Sequence, residues 1–131
     1  MPSKEYMREY RKKHPQTPEQ LAQQKAYWRS PVGRAAKARY RATENGKRKQ
    51  HDHNLRKDYG ITLADKEKMY EEQKGLCNLC HHPLPPVIQS HYDHDHKTGK
   101  ARGLLHQDCN HLIGLIEKMP GAMENIASYL S

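Results

Sequence analysis

Histidine and cysteine residues gather in one stretch of the chain. Seven of the ten histidines lie between residues 81 and 111, and Cys77 and Cys80 are separated by two residues, as are His106 and Cys109. Two such close pairs suit a tetrahedral zinc site, because each tight turn supplies two ligands. The spacing therefore predicts a structural Zn²⁺ held by these four residues, which also uses all three cysteines.

Two alternatives remain open for these residues. The fourth zinc ligand could be His81, His82 or His91 in place of His106. The cysteines could also be buried thiols or a redox pair without metal. An odd number of cysteines, with no signal peptide at the start of the chain, favours reduced thiols and hence a metal site.

A second group of reactive side chains lies between the two ligand pairs, in the run from His91 to His96. In a strand, His94 and His96 would share one face with Tyr92 while Asp93 and Asp95 share the other, unless the strand bends. Asn110 follows the last zinc ligand at the start of a predicted helix. Zinc would hold this strand and this helix close together, so that an Asp, a His and an Asn could converge.

Such a set suits hydrolysis of a phosphodiester. A neutral imidazole such as that of His94 accepts a proton at cellular pH. The oxygens of Asp93 and Asn110 are ligands for one hard cation, Mg²⁺ or Mn²⁺. The alternative for the His/Asp run is a solvated loop or additional metal binding.

The elements that must position these residues are short. Pro83, Pro85 and Pro86 exclude a helix, and Thr98-Gly99 predicts a turn between strands at 92–96 and 100–105. Thr62, with Asp65 three residues on, predicts a capped helix that ends near Gly75. A helix is predicted from Asp108 to a break at Pro120-Gly121, and a last short helix at 122–130.

The first 58 residues differ in character. They hold 16 Lys or Arg and 6 Asp or Glu, whereas residues 59–131 hold 7 and 9. Thr17-Pro18 predicts a helix start, and a 13-residue echo relates Tyr27 to Tyr40, Ser30 to Thr43 and Gly33 to Gly46. We therefore divide the chain into a basic helical arm at 1–58 and a second domain at 59–131.

Composition limits the class of protein. Only 34% of the 131 residues are apolar and none is Phe, which predicts a small core supplemented by a staple such as a metal or disulfides. A net charge of +8 favours a polyanion as the partner. No run of apolar residues is long enough for a membrane span, which predicts no membrane partner and a cytoplasmic protein.

The order of motifs resembles a known family. Cys77-x-x-Cys80, Asp93-His94-Asp95-His96, residues 98–105 (TGKARGLL) and Cys109-Asn110 are similar to the recombination endonuclease VII family of phages, over about residues 59–130. That family belongs to the His-Me finger, or HNH-like, nucleases. The resemblance implies an α+β fold, in which a small zinc-stapled ββα-metal module follows the basic helical arm.

The resemblance also implies roles for single residues. His94 falls on the general base, Asp93 and Asn110 on the ligands of the catalytic Mg²⁺ or Mn²⁺, and His96 on a histidine that contacts phosphate. The products would carry 5'-phosphate and 3'-OH ends, and the host cell cytoplasm would be the location of a phage protein. His106 departs from the family pattern, which has a cysteine there. The chain also lacks a long C-terminal region like the one with which the founding member dimerises and grips four-way junctions, which argues against junction specificity.

Our prediction is a metal-dependent DNA endonuclease that nicks or cuts duplex or branched DNA with one divalent cation. The basic residues expected to contact DNA are Lys97, Lys100, Arg102, Arg34, Arg39, Arg41, Lys47 and Arg48. Deletion of residues 1–58 should weaken DNA binding far more than metal binding. Two other functions stay open: a non-catalytic zinc-ribbon-like DNA-binding protein, and an accessory of phage packaging machinery. A homodimer is a further candidate assembly.

Overall fold

A computed structural model describes all residues from 1 to 131, with seven helices and one two-stranded sheet. In chain order the elements are α1 Lys4–Lys13, α2 Pro18–Arg29, α3 Pro31–Ala42, α4 Glu44–Tyr59, α5 Leu63–Glu72, β1 His91–His94, β2 Ala101–Leu105, α6 Gln107–Lys118 and α7 Ala122–Leu130. The mixed α+β class predicted from the sequence is confirmed. No helix is both long and apolar enough to cross a membrane.

The chain divides into two compact units, Met1–Lys47 and Arg48–Ser131. In the first unit, Gly33 and Gly46 are the only buried residues. The helices predicted for the arm are present, and they are exposed. Thr17 caps α2 by accepting a hydrogen bond from the Gln20 N–H, and the Gln20 side chain accepts one from the Thr17 N–H in return.

In the second unit, helix ends follow the predicted signals. α4 ends at Tyr59, where Gly60 adopts φ +71°. Thr62 and Asp65 form the capping box at the start of α5. The Asp52 carboxylate accepts a 2.7 Å hydrogen bond from the Leu63 N–H, which ties α4 to α5.

The core of this unit is small and is centred on β2. Leu104 is fully buried, and Leu105, Leu84 and Cys77 pack with it. The side-chain amide of Gln73 accepts from the Leu104 N–H at 2.7 Å and donates to the Leu104 carbonyl at 3.0 Å. The Gln73 side chain therefore satisfies the backbone N–H and carbonyl of Leu104, as a neighbouring strand would. Because Cys77, a candidate zinc ligand, lies in the core, a metal bound there would couple metal binding to folding.

A buried lysine fixes the entry to β1. Lys66 on α5 is 1% exposed, and its ammonium donates to the Ser90 carbonyl at 2.6 Å and lies 3.0 Å from His51 Nε2. Burial lowers the pKa of Lys66 to about 8. Ser90 directly precedes β1, so this contact sets where the strand begins.

The hairpin is antiparallel and irregular. Asp93 pairs with Gly103, but His94 pairs with Ala101, so Arg102 is the extra residue of a β-bulge. The strands are shorter than predicted, because the chain leaves β1 after His94 to form a turn. In this turn the Asp95 carboxylate accepts hydrogen bonds from the backbone of Lys97 and Thr98, and these N–H groups lower the pKa of Asp95.

Candidate active site and metal centre

One cluster of side chains could hold a metal ion. Cys77, Cys80, His106 and Cys109 each offer one ligand atom, and these atoms all lie within 4.8 Å of one another. Cys77 and Cys80 lie on the loop that a bridge between Leu76 and Pro83 closes. His106 is the N-terminal cap residue of α6, and Cys109 lies in the first turn of that helix. This Cys3His set could hold a structural zinc, and the structure gathers His106 with the cysteines rather than His81, His82 or His91.

The hydrogen bonds of His106 favour a ligand role. Its Nε2 lies 2.8 Å from the Pro83 carbonyl, an acceptor, so Nε2 carries the proton. The lone pair then remains on Nδ1, which lies 3.3 Å from the Cys80 sulfur. Such a bond to the second ring nitrogen is typical of metal-binding histidines, because it fixes the tautomer and the ring orientation.

The cysteine thiols differ in pKa. Burial alone would raise the pKa of Cys77, but backbone N–H donors at Cys80 and His106 outweigh it and lower the pKa to about 6. Burial and the neighbouring sulfurs raise the pKa of Cys109 to about 12. Clustered thiolates repel one another, so a cation is the natural counter-charge for this site.

The second site is an open cleft of about 270 Å³ beside the hairpin. Its walls include the residues predicted for catalysis, Asp93, His94, His96 and Asn110, together with Arg102. β1 supplies the Asp and the His, and the first turn of α6 supplies the Asn. Asp93 and His94 both reach this cleft although strict alternation would place them on opposite faces, and the register shift of the hairpin lies between them.

Arg102 closes one side of the cleft. Its Nε and one terminal nitrogen donate to the two Asp93 oxygens at 2.8 and 3.0 Å. The other terminal nitrogen donates to Glu117 on α6 at 2.7 Å. Asp93 is only 7% exposed, whereas its bidentate partner Arg102 is partly open to solvent. Glu117 also lies 3.4 Å from His96 Nδ1.

The sequence alone did not indicate Glu117. This residue lies two helical turns after Asn110, at a spacing that places both on one side of α6. That periodicity was the available signal. The Arg102 guanidinium lowers the pKa of Glu117, and the two carboxylates raise the pKa of Arg102.

Aromatic rings surround His94. The Tyr59 ring meets it edge-on with centroids 5.1 Å apart, and the His96 ring does so at 4.9 Å. Tyr92 stacks on it at 6.0 Å. Tyr59 lines the same cleft and was not among the predicted site residues. Its position at the end of α4 also shows that this helix contributes to the site up to its last residue.

The predicted DNA contacts are spread over the chain. Lys97 and Lys100 are exposed at the turn between the strands and do not line the cleft. Arg48 on α4 forms an ion pair with Glu67. The remaining arm residues are exposed on α3 and α4 within the first unit: Arg34, Arg39, Arg41 and Lys47.

Comparison with known proteins identifies the family. The chain is 44% identical over 55 residues to the Gene 59 protein of Mycobacterium phage D29, a match that spans 42% of this chain and 33% of the relative. It is 44% identical over 52 residues to the Gene 59 protein of Mycobacterium phage L5, spanning 40% of this chain and 32% of the relative. The chain thus aligns with about a third of the length of these curated relatives. The family model described as recombination endonuclease VII matches residues 52–131. Since this match covers more than half of the chain, the protein belongs to the recombination endonuclease VII family.

Proposed function

We propose that this protein is a metal-dependent DNA endonuclease whose ββα-metal site is formed by β1, β2 and α6. The observation that carries the proposal is the convergence of Asp93, His94 and Asn110 on one cleft beside a possible zinc site. A DNA-binding module without activity has no need of this set. The family supports a nuclease that acts on DNA, and its description favours recombination intermediates as substrates.

His94 is the proposed general base. Its ring is half-buried against Tyr59 and His96 yet reaches the cleft. There it would take a proton from the attacking water. His96 is exposed and would donate a hydrogen bond to a phosphate oxygen. The Tyr59 edge restrains the His94 ring and so limits its rotation.

Asp93 and Asn110 would hold the catalytic Mg²⁺ or Mn²⁺. Carboxylate and amide oxygens fit such a hard cation, and when bound it would stabilise charge on the scissile phosphate and the leaving oxygen. Both Asp93 oxygens already accept hydrogen bonds from Arg102. Each carboxylate oxygen has a further lone pair, so Arg102 must share Asp93 or release it. A released Arg102 could contact a phosphate.

The structural zinc would hold α6 against the hairpin. His106 and Cys109 flank the start of the helix, and Asn110 is the next residue. The position of Asn110 relative to Asp93 therefore depends on the Cys3His site. Loss of zinc would displace the amide oxygen from the cleft, and activity would fall even where the hairpin itself persisted.

The arm is proposed to bind DNA without regard to sequence. Residues 1–47 contain 12 Lys or Arg against 4 Glu, and nearly all are exposed. Phosphate contacts by these residues would release counterions and make binding sensitive to salt. A truncation that tests this role should end at residue 47. Removal of residues up to 58 would cut α4 just before Tyr59, which contacts His94.

Cleavage of supercoiled plasmid and of a synthetic four-way junction, with Mg²⁺ or Mn²⁺, tests the proposal. We expect the wild type to nick or cut at least one substrate, and His94→Ala to lose at least a hundredfold in rate. His53→Ala, which removes an exposed histidine that does not line the cleft, is the control. Zinc content must be equal in all samples. Binding of both substrates without cleavage would instead establish a DNA-binding module, and equal rates for the two variants would refute His94 as the base.

A further inference from the structure

Three helices of the N-terminal unit begin in the same way at a fixed interval. Thr17, Ser30 and Thr43 lie 13 residues apart. Their backbone angles agree closely, with φ of −68°, −67° and −71° and ψ of 158°, 158° and 155°. Each hydroxyl accepts a hydrogen bond from the backbone N–H three residues later, at Gln20, Gly33 and Gly46, over 3.2, 3.2 and 3.0 Å.

The second and third of these turns match in further detail. The Ser30 hydroxyl donates to the Tyr27 carbonyl at 2.6 Å, and the Thr43 hydroxyl donates to the Tyr40 carbonyl at the same distance. A Cβ on Gly33 would lie 2.1 Å from the Tyr27 oxygen, and one on Gly46 would lie 2.0 Å from the Tyr40 oxygen. Only glycine allows this approach of consecutive helices. The weak sequence echo is therefore a repeat in three dimensions.

No buried apolar core accounts for the repeat. The two turn glycines are the only buried residues of the unit, so the close contacts between its helices lie at these turns. What the repeat does control is the placement of exposed side chains. Arg34 and Lys47 occupy equivalent positions, since their N–H groups donate to the carbonyls of Ser30 and Thr43, each at 2.9 Å.

The positive charge of the repeat favours DNA as its partner. The segment 30–42 carries four cationic residues and no acidic one. All four are exposed: Arg34, Lys37, Arg39 and Arg41. DNA presents one negative charge per ~1.7 Å of its axis, so this group of exposed cations, with Arg34 and Lys47 at equivalent positions of two repeats, suits a row of phosphates. An acidic protein surface offers no such regularity.

We propose that residues 17–47 form a tandem array of 13-residue helix–turn repeats, which binds several phosphates of one DNA molecule. DNA affinity then depends on the register of the turns as well as on total charge. This proposal rests on the proposed DNA-binding role of the arm and adds to it how that arm recognises the backbone.

Two internal deletions in the full chain separate register from charge. Deletion of 30–42 removes one whole repeat and brings Thr43 and Gly46 into the places of Ser30 and Gly33. Deletion of 33–41 removes the same four cations but places Ala42 where Gly33 stood, against the Tyr27 carbonyl. We expect the second variant to bind a duplex about fivefold more weakly than the first at equal salt, because one capped turn of this kind shifts an equilibrium by about that factor.

Two full-length variants complete the test. In Arg34→Gln/Lys37→Gln/Arg39→Gln/Arg41→Gln, the slope of log K against log salt should fall by up to about 3 to 4. A slope like that of the wild type would refute DNA contact by this part of the arm, whatever its architecture. Gly33→Ala leaves the charge unchanged and should weaken binding, whereas Val32→Ala at the adjacent exposed position should not. Equal affinities for the two deletions, or for Gly33→Ala and the wild type, would overturn the role of register.

Discussion

Replacement of Arg102 by glutamine should make the cleft bind divalent cations more tightly. Arg102 now holds both oxygens of Asp93 at 2.8 and 3.0 Å and is itself anchored by Glu117 at 2.7 Å. A cation that binds Asp93 must compete with these bonds. Glutamine keeps much of the side-chain length but removes the positive charge and the bidentate fork.

The size of the effect follows from burial and charge. A hydrogen bond to a charged group contributes about 1.5–3 kcal/mol. Asp93 is buried, but the Arg102 side chain is 34% exposed and therefore partly screened. We therefore assign about 2 kcal/mol in total to the competition, which corresponds to roughly 30-fold in cation affinity. The same loss leaves a buried carboxylate without a partner, so Arg102→Gln should also be less stable until a cation is added.

Titration of zinc-loaded protein with Mn²⁺, followed by the paramagnetic resonance signal of the free ion, measures this affinity directly. Lys100→Gln is the matched control, because it removes a nearby exposed charge that has no contact with Asp93. We expect a clear gain in affinity for Arg102→Gln and little change for Lys100→Gln. Cleavage by Arg102→Gln should nevertheless be slower, if the released guanidinium contacts phosphate. Equal Mn²⁺ affinity in wild type and both variants would refute the competition.

Three further predictions follow. The pKa of Lys66 is lowered to about 8, against 10.5 in the unfolded chain, so the folded state binds fewer protons between these pH values. The free energy of unfolding should therefore rise by up to roughly 3 kcal/mol across this range. Lys66→Met, compared with the wild type by urea denaturation at pH 7.5 and 10, should lack the rise. His106→Ala should lower bound zinc and the melting temperature while His106→Cys keeps both, and equal zinc content in the two variants would exclude His106 as a ligand. Met123 is 67% exposed on α7 among other exposed apolar residues and should lie in a homodimer contact. Met123→Glu, but not Asn125→Glu, should therefore lower the sedimentation coefficient. A wild type that sediments as a monomer would contradict this.

Local signals predicted most helix boundaries. Capping residues such as Thr17 and Thr62 act through hydrogen bonds within three residues, so the sequence already contains the cause. The same holds for the glycine that ends α4. The four residues of the Cys3His cluster were also indicated by spacing alone, because a tetrahedral site requires close pairs.

Long-range contacts were not predictable in the same way. The engagement of Arg102 by Asp93 and Glu117 depends on a bulge that no local residue pattern specifies. The buried ammonium of Lys66 depends on a backbone carbonyl 24 residues away. Likewise, the aromatic contact between Tyr59 and His94 requires α4 to end beside β1. Each of these arises from tertiary packing, in which a residue's role is set by partners distant in the chain.

The bulge in the hairpin bears on tolerance to mutation. Because Asp93 and His94 are consecutive and still share a cleft, one short piece of backbone fixes their relative position. A substitution that loosens the small leucine core would lower the fraction of folded molecules without separating Asp93 from His94. Asn110, which comes from another element, depends more on accurate packing. Random substitutions in the core should therefore reduce the yield of active protein more than the turnover of each active molecule, so a lineage carrying this hairpin could vary its core widely before its chemistry failed.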